Sequence, residues 1–374
     1  MNGELLRVAE LVAFELKWRR DVKPLCEGEA DVWKLARDHK VATILSPRIL
    51  ELNSPRDLVG EARYVWQMAA LREAYYTKEC DKLLALLERQ GIRASTLKGV
   101  RLARSAYPRH GFRAFRDLDL WVPQEEIVEA DKLLRQNGFS EIHPHTPLQR
   151  AIRTRGNSVD AALAGIEAIS YQKGDLFVEM HSRLVPWIFG EYQTAPVGSS
   201  DSELSPEDFM AHLLIHATRH HFLYGLRHLV DVGVWEAKVR SMDVVRRRLT
   251  ESNLFWLAWP AWKLAANFFP ATVEAPPDIS NHRVVRYTET VAARFHQIPD
   301  RAMTLSGTPM PLLRMGKRLR VAYRANAALI RYQTGADSPR RRFWWKLQRP
   351  FGLAWRHAPV LWRLVRTGFL SSLF

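Results

Sequence analysis

The stretch Arg113-Ala114-Phe115-Arg116-Asp117-Leu118-Asp119-Leu120-Trp121-Val122 sets two aspartates one residue apart inside an apolar run. Such a run reads as a β-strand. Strand side chains alternate faces, so the spacing predicts Asp117 and Asp119 on one side and Leu118, Leu120 and Val122 on the other, toward a core. Two carboxylates held this close repel each other unless a cation sits between them. Ligation by oxygen alone suits Mg²⁺ or Mn²⁺.

Two further stretches work outward from this one. Ala168-Ile169-Ser170-Tyr171-Gln172 and Leu176-Phe177-Val178-Glu179-Met180 flank Lys173-Gly174-Asp175, the pattern of a β-hairpin. Glu179 is a lone acid in an apolar strand, and burying an unpaired carboxylate is expensive. A metal site shared with Asp117 and Asp119 supplies the missing partner. Three carboxylates can hold two divalent ions, roughly 3.5–4 Å apart, that clamp the attacking and leaving oxygens of phosphoryl transfer. Upstream, Leu97-Lys98-Gly99 ends a short strand expected over residues 93–97 and opens a helix. Amides at a helix start favour anions.

Together these motifs resemble the bacterial family of uncharacterised nucleotidyltransferases, within the DNA polymerase β-like superfamily. Leu97-Lys98-Gly99 matches that family's helix-opening turn, and Arg113 stands four residues before Asp117, as in the family pattern. Asp117-Leu118-Asp119-Leu120-Trp121-Val122 matches the metal strand, and Glu179-Met180-His181 the later acid-x-His. Leu226-Arg227-His228-Leu229-Val230-Asp231-Val232 resembles a helical segment of the family, and the likeness spans roughly residues 35–250. The resemblance implies an α+β fold: a small mixed nucleotidyltransferase sheet with flanking helices, between an N-terminal helical region and a C-terminal helical domain. It also implies transfer of a nucleoside monophosphate from an NTP to an acceptor hydroxyl, with release of pyrophosphate.

The same resemblance assigns roles. Asp117 and Asp119 hold the ion at the triphosphate, and Asp119 and Glu179 the ion at the acceptor oxygen. Lys98 and Arg113 steady phosphate charge, Gly99 lets the backbone approach a phosphate, and His181 binds substrate. The chain departs from the superfamily in two places. It carries Lys98-Gly99 where Gly-Ser is usual, and Glu179 where a shorter Asp is commoner. The longer acid is compatible with preserved metal binding or with a weakened second site. The implied acceptor is a small molecule, a saccharide, a protein or an RNA. Two other functions stand beside this one: a non-catalytic, membrane-associated scaffold on a decayed nucleotidyltransferase fold, and a toxin-like enzyme that modifies RNA or protein.

Plainer readings of the same residues compete. Asp117 and Asp119 can form a solvated edge face with Glu179 paired to an arginine. Lys98-Gly99 can be an ordinary turn, and Arg113 a surface arginine or a brace for the carboxylates. Arg116 falls one residue before Asp117 and is expected to face away from it. His212, His216 and His220 recur every fourth residue and line one helix face, a spacing that binds zinc in some proteins. No Glu follows His212, and the neighbouring apolar residues favour a packed helix in which His216 or His220 pairs with Asp231.

Length and charge bound the rest. The 374 residues are enough for two or three domains. The two cysteines, Cys26 and Cys80, have no metal-type spacing and read as reduced cytoplasmic thiols, which argues against a disulfide-framed secreted domain. The first residues lack the apolar core of a signal peptide, and no apolar run is long enough to span a bilayer. Net charge is +15, of which +13 falls in the last 61 residues. That segment also carries Phe343-Trp344-Trp345, Trp355 and Trp362. Basic residues interleaved with Trp suit the surface of an anionic membrane, with nucleic-acid binding and packing on the protein body as rivals. A peripheral location on the inner membrane face follows from the first of these.

Apolar spacing predicts helices over residues 4–18 and 62–90, the second stopped by Gly91. A helix is expected over 123–136, closed by Asn137-Gly138, then a loop with a short helix over 140–165. A polar linker containing Gly198-Ser199-Ser200-Asp201 precedes Ser205-Pro206-Glu207-Asp208, a helix start with Pro at the first position and acids in the first turn. The expected organisation is an N-terminal helical region (1–90), a nucleotidyltransferase-like core (91–187), a helical domain (203–335) and a basic aromatic tail (336–374).

Overall fold

The computed structural model describes residues 3–18, 30–51, 55–142, 168–185, 192, 204–220 and 222–297. Cys26, the 198–201 linker, most of the 140–165 loop and the 336–374 tail lie outside the described residues.

Three helices, α1 (Gly3–Glu15), α2 (Ala30–Asp38) and α3 (Ala42–Glu51), lead into a 34-residue helix α4 (Arg56–Arg89). Helix α4 begins directly after Pro55, earlier than apolar spacing alone predicts. It stops at Gly91, whose positive φ of 70° lets the chain reverse. The Gly91 N–H donates to Glu88 O at 2.9 Å and the Ile92 N–H to Leu87 O at 3.0 Å, a glycine-closed helix end.

The mixed sheet follows. Its parts are β1 (Ser95–Leu97), α5 (Lys98–Ser105), β2 (Leu118–Trp121), α6 (Ile127–Gln136), β3 (Ser140–Glu141), β4 (Ile169–Lys173) and β5 (Leu176–His181). Strand order is β1-β2-β5-β4-β3. The β2–β5 pair is parallel, and the other pairs are antiparallel. Strands β4 and β5 form the expected hairpin, with Gly174 at φ 57° in the turn. After the sheet come α7 (Pro206–Arg219), α8 (Leu226–Glu236), α9 (Met242–Glu251), α10 (Phe255–Phe268) and α11 (His282–Arg294). Ser205 caps α7 as its sequence predicts, its Oγ accepting the Asp208 N–H at 3.1 Å. The fold class is α+β.

Two apolar cores position the site. One face of the sheet, through Leu118, Leu120, Val122, Val178 and Met180, packs with α4 and α6. A larger core takes the apolar faces of α1–α3 together with those of α7–α11. Leu97 and Trp121 of the sheet join this second core, so the helices after residue 204 lie over the opposite face of β1 and β2. That face carries the acids. No described helix is long and apolar enough to cross a membrane.

Candidate functional site

The parallel pairing of β2 with β5 brings the distant acids together. Asp119 and Glu179 are register partners, and Trp121 and His181 are the next pair on the same face. Lys98 stands at the β1–α5 junction, where Leu97 pairs with Asp119 across the antiparallel ladder. The Lys98 backbone is left-handed, at φ 43°, a conformation uncommon for a residue with a Cβ. Its ammonium reaches Asp119: Nζ to Oδ1 is 2.6 Å. His181 Nε2 lies 3.0 Å from the same Oδ1 and 3.7 Å from Glu179 Oε2. Asp119 and His181 are almost wholly buried, whereas the Glu179 side chain is 39% exposed and faces the open side.

The electrostatics divide the acids. Burial pushes the Asp119 carboxyl up, but the Lys98 charge and the His181 hydrogen bond outweigh it and hold the group far below the usual carboxylate range. Burial, and next the charge of Asp119, push the Glu179 carboxyl up. Asp117 is raised for the same two reasons, in the same order. The site therefore carries more negative charge than Lys98 balances. Asp119, Glu179 and His181 each offer a ligand atom, and these atoms lie within 4.8 Å of one another. Two carboxylates and an imidazole with surplus negative charge fit a divalent cation. The imidazole is one more nitrogen than an all-oxygen site expects.

The other expected residues fall as follows. Asp117 sits one residue before β2 rather than within it, outside the 4.8 Å group, though its charge is felt by Glu179. Gly99 is buried beneath Phe115. A Cβ there would lie 2.7 Å from Phe115 Cγ, so packing of strand entry on helix start by itself requires a glycine. Arg113 is taken up by another acid, although its charge also acts on Asp117. Its guanidinium forks onto Asp231 of α8, Nε to Oδ1 at 2.7 Å and Nη2 to Oδ2 at 2.8 Å, while Nη1 donates to Ala114 O at 2.6 Å. Tyr107 donates its hydroxyl to the same Asp231 at 2.8 Å. The bracing reading of Arg113 fits this geometry, and the expected pairing of His216 or His220 with Asp231 is replaced by Arg113 and Tyr107. Arg116 is exposed, as expected.

The histidine row on α7 does lie near the site. His212 donates Nδ1–H to Leu184 O at 2.8 Å, which leaves Nε2 a bare acceptor, buried and without a hydrogen-bond partner. Burial, and then the Lys98 charge, pull its pKa down to about 3, so it is neutral. His212, His216 and His220 are not a metal-competent group among the described residues. Their rings lie tilted against one another along the helix, 5.7 and 4.4 Å between centres, as a packed helix predicts.

Two residues of the Leu226–Val232 segment, Arg227 and His228 in the first turn of α8, were given no role of their own by the sequence. Arg227 Nη1 donates to Ala114 O at 3.2 Å and its guanidinium lies 4.0 Å from the Tyr224 ring centre. Burial, then the charge of Arg113, lower its pKa to about 10. The signal was present in Leu226–Val232, but nothing in the spacing tells which of its polar residues faces the acids.

The profile of a family described as "Uncharacterised nucleotidyltransferase" matches residues 27–270. No curated protein matches the chain.

Proposed function

The chain belongs to the uncharacterised nucleotidyltransferase family, and from that premise we propose that it is a working, metal-dependent enzyme that moves a nucleoside monophosphate from an NTP to an acceptor hydroxyl. The acceptor oxygen bonds to the α-phosphorus, the bond from that phosphorus to the bridging oxygen of the β-phosphate breaks, pyrophosphate leaves, and the hydroxyl proton passes to a base. The observation that carries this reading is the register of Asp119 with Glu179 in parallel strands, with both carboxylates beside one buried imidazole. A purely structural sheet gains nothing from placing a half-exposed acid against a buried one, because each disfavours the charged form of the other.

The proposed metal ligands are Asp119, Glu179 and His181, with Asp117 at the triphosphate end. Mg²⁺ or Mn²⁺ held there would neutralise charge on the reacting phosphate and ease loss of the acceptor proton. The protein's own groups do the rest. Glu179, open to solvent and drawn toward its protonated form, is placed to take the acceptor proton. Before an ion binds, His181 Nε2 holds the Asp119 carboxylate in orientation. Lys98, whose ammonium sits on Asp119, is assigned to the phosphates once an ion takes its place there.

The test incubates the full chain with labelled NTPs, Mg²⁺ and fractionated cell lysate, and reads pyrophosphate release and transfer of label. Asp119→Asn should lower turnover by about a thousandfold or more, the equivalent of roughly 4 kcal/mol of lost transition-state stabilisation. Equal turnover by wild type and variant would reject the catalytic role. Failure of wild type to bind either nucleotide or Mn²⁺ in calorimetry would favour the non-catalytic scaffold.

A further inference from the structure

Arg227 is a half-buried cation whose guanidinium stacks on Tyr224 and leaves most of its donors without an acceptor. Its guanidinium has five N–H donors. The hydrogen bond that engages one of them is the 3.2 Å contact of Nη1 with Ala114 O, and Nε is buried with no partner. The carboxylate best placed to neutralise it, Asp231, is already held by both prongs of Arg113 and by Tyr107. Arg113 adds a second positive charge beside it. Burying a guanidinium next to another cation is costly unless a counter-anion arrives at some point in the protein's working cycle.

The neighbour in sequence repeats the pattern. His228 is 5% exposed, and neither ring nitrogen has a hydrogen-bond partner. Its ring packs edge-on to Tyr224 and His216, contacts that use none of its polar atoms. The polar groups of α8's first turn that do serve the fold are accounted for: the Leu226 N–H donates to His39 Nδ1 at 3.3 Å and the Arg227 N–H to His39 O at 3.2 Å. The unused donors are those of the two side chains.

Their location identifies the ligand. Arg227 Nη1 meets the Ala114 carbonyl on the approach to β2, and its charge, like that of Arg113, acts on Asp117 at the near end of that strand. Helix α8 packs on α5, the helix that Lys98 opens. A guanidinium fork on the Asp117 side of the acids, with an unsatisfied imidazole next to it in sequence, offers donors to an anion rich in acceptor oxygens.

We propose that Arg227, assisted by His228, seats the terminal phosphates of the NTP, the role that sequence reading gave to Arg113. This inference rests on the nucleotidyltransferase reading above, and its test separates the two. Binding of inorganic tripolyphosphate and of NTP to the full chain is measured by calorimetry without turnover. Arg227→Gln should bind both about tenfold more weakly or worse. Arg227→Lys, which keeps the charge and loses the fork, should fall between wild type and Arg227→Gln. His228→Asn should weaken both ligands to a smaller degree. Circular dichroism establishes which variants fold. Should Arg227→Gln not fold, Arg227→Lys and His228→Asn carry the measurement. Tripolyphosphate and NTP affinities unchanged in the folded variants would overturn the inference and leave the enzyme reading standing. Wild type that binds neither ligand would remove both.

Discussion

Lys98 Nζ stands 2.6 Å from Asp119 Oδ1, inside a pair whose side chains are 14% and 2% exposed. An ammonium thus occupies the charge position that a divalent ion would share. Lys98→Met should therefore have two opposed effects. Without metal, Asp119 is left buried with His181 as its only close partner, and stability falls by about 3–5 kcal/mol, the usual cost of stranding a buried charge. With metal, the competing cation is gone, and Mn²⁺ affinity rises by about tenfold. Thermal melts with and without Mn²⁺ read both effects, and the stabilisation by Mn²⁺ should be larger in the variant. An equal or smaller increment would show that Lys98 and the metal do not contend for Asp119.

The Arg113–Asp231 pair should behave as a structural clamp. It ties the approach to β2 to α8 across 118 residues of sequence. Arg113→Met and Asp231→Asn should each destabilise by about 3–5 kcal/mol, because each strands the other's charge in the interior. The double variant should cost clearly less than the sum, with a coupling of roughly 1–3 kcal/mol. Denaturant unfolding of the four proteins measures this. Single-variant losses below about 1 kcal/mol would return Arg113 to the ligand-binding residues.

These two pairs mark where sequence reading succeeds and where it stops. Asp119 and Glu179 are legible because an acid inside an apolar strand needs a partner, and each strand supplies one such acid. The hairpin is legible from Gly174 and the alternation around it. Register is not: pairing Asp119 with Glu179 depends on a parallel contact between β2 and β5, with α6, β3 and β4 lying between them in the chain. Asp117 was assigned to the strand because strand propensity has no sharp edge, and the ladder starts one residue later. Arg113 was assigned to phosphate because an arginine near acids suggests it. Its partner lies on a helix whose packing no local pattern encodes. The large core that joins α1–α3 to the late helices is invisible for the same reason.

Gly99 offers a direct test of packing against ligand approach. A Cβ at this position meets three Phe115 atoms at 2.7 to 3.0 Å, so Gly99→Ala must push the ring off α5. Phe115 also packs edge-on against Tyr76 of α4, at 5.7 Å between ring centres, which limits its retreat. The expected loss is about 1–3 kcal/mol. Adding Phe115→Leu to Gly99→Ala should relieve the clash, so that the second substitution costs less there than in wild type. If Gly99→Ala left stability intact and weakened only nucleotide binding, the glycine would belong to the ligand instead.

Glu236 at the end of α8 makes the protein's stability pH-dependent. One carboxylate oxygen accepts the Glu274 N–H at 2.8 Å, and the other is buried without a partner. Burial pushes its pKa up from 4.5 to about 7, against the pull of that hydrogen bond. The sign follows from proton binding: between the two values the native protein holds a proton that the unfolded chain has released. This contribution to stability is thus greatest below pH 4.5 and lost as pH rises to about 7. Asp117 and Glu179, also raised, act in the same direction in metal-free protein. Glu236→Gln mimics the protonated form at every pH. It should raise the melting temperature at pH 8, by about 2–4 °C for each kcal/mol gained, and leave it nearly unchanged at pH 5. The gap in melting temperature between Glu236→Gln and wild type should therefore widen from pH 5 to pH 8, whatever the other titrating groups contribute to both proteins. A variant that melts lower than wild type at pH 8 would mean that the buried oxygen has a partner worth keeping charged.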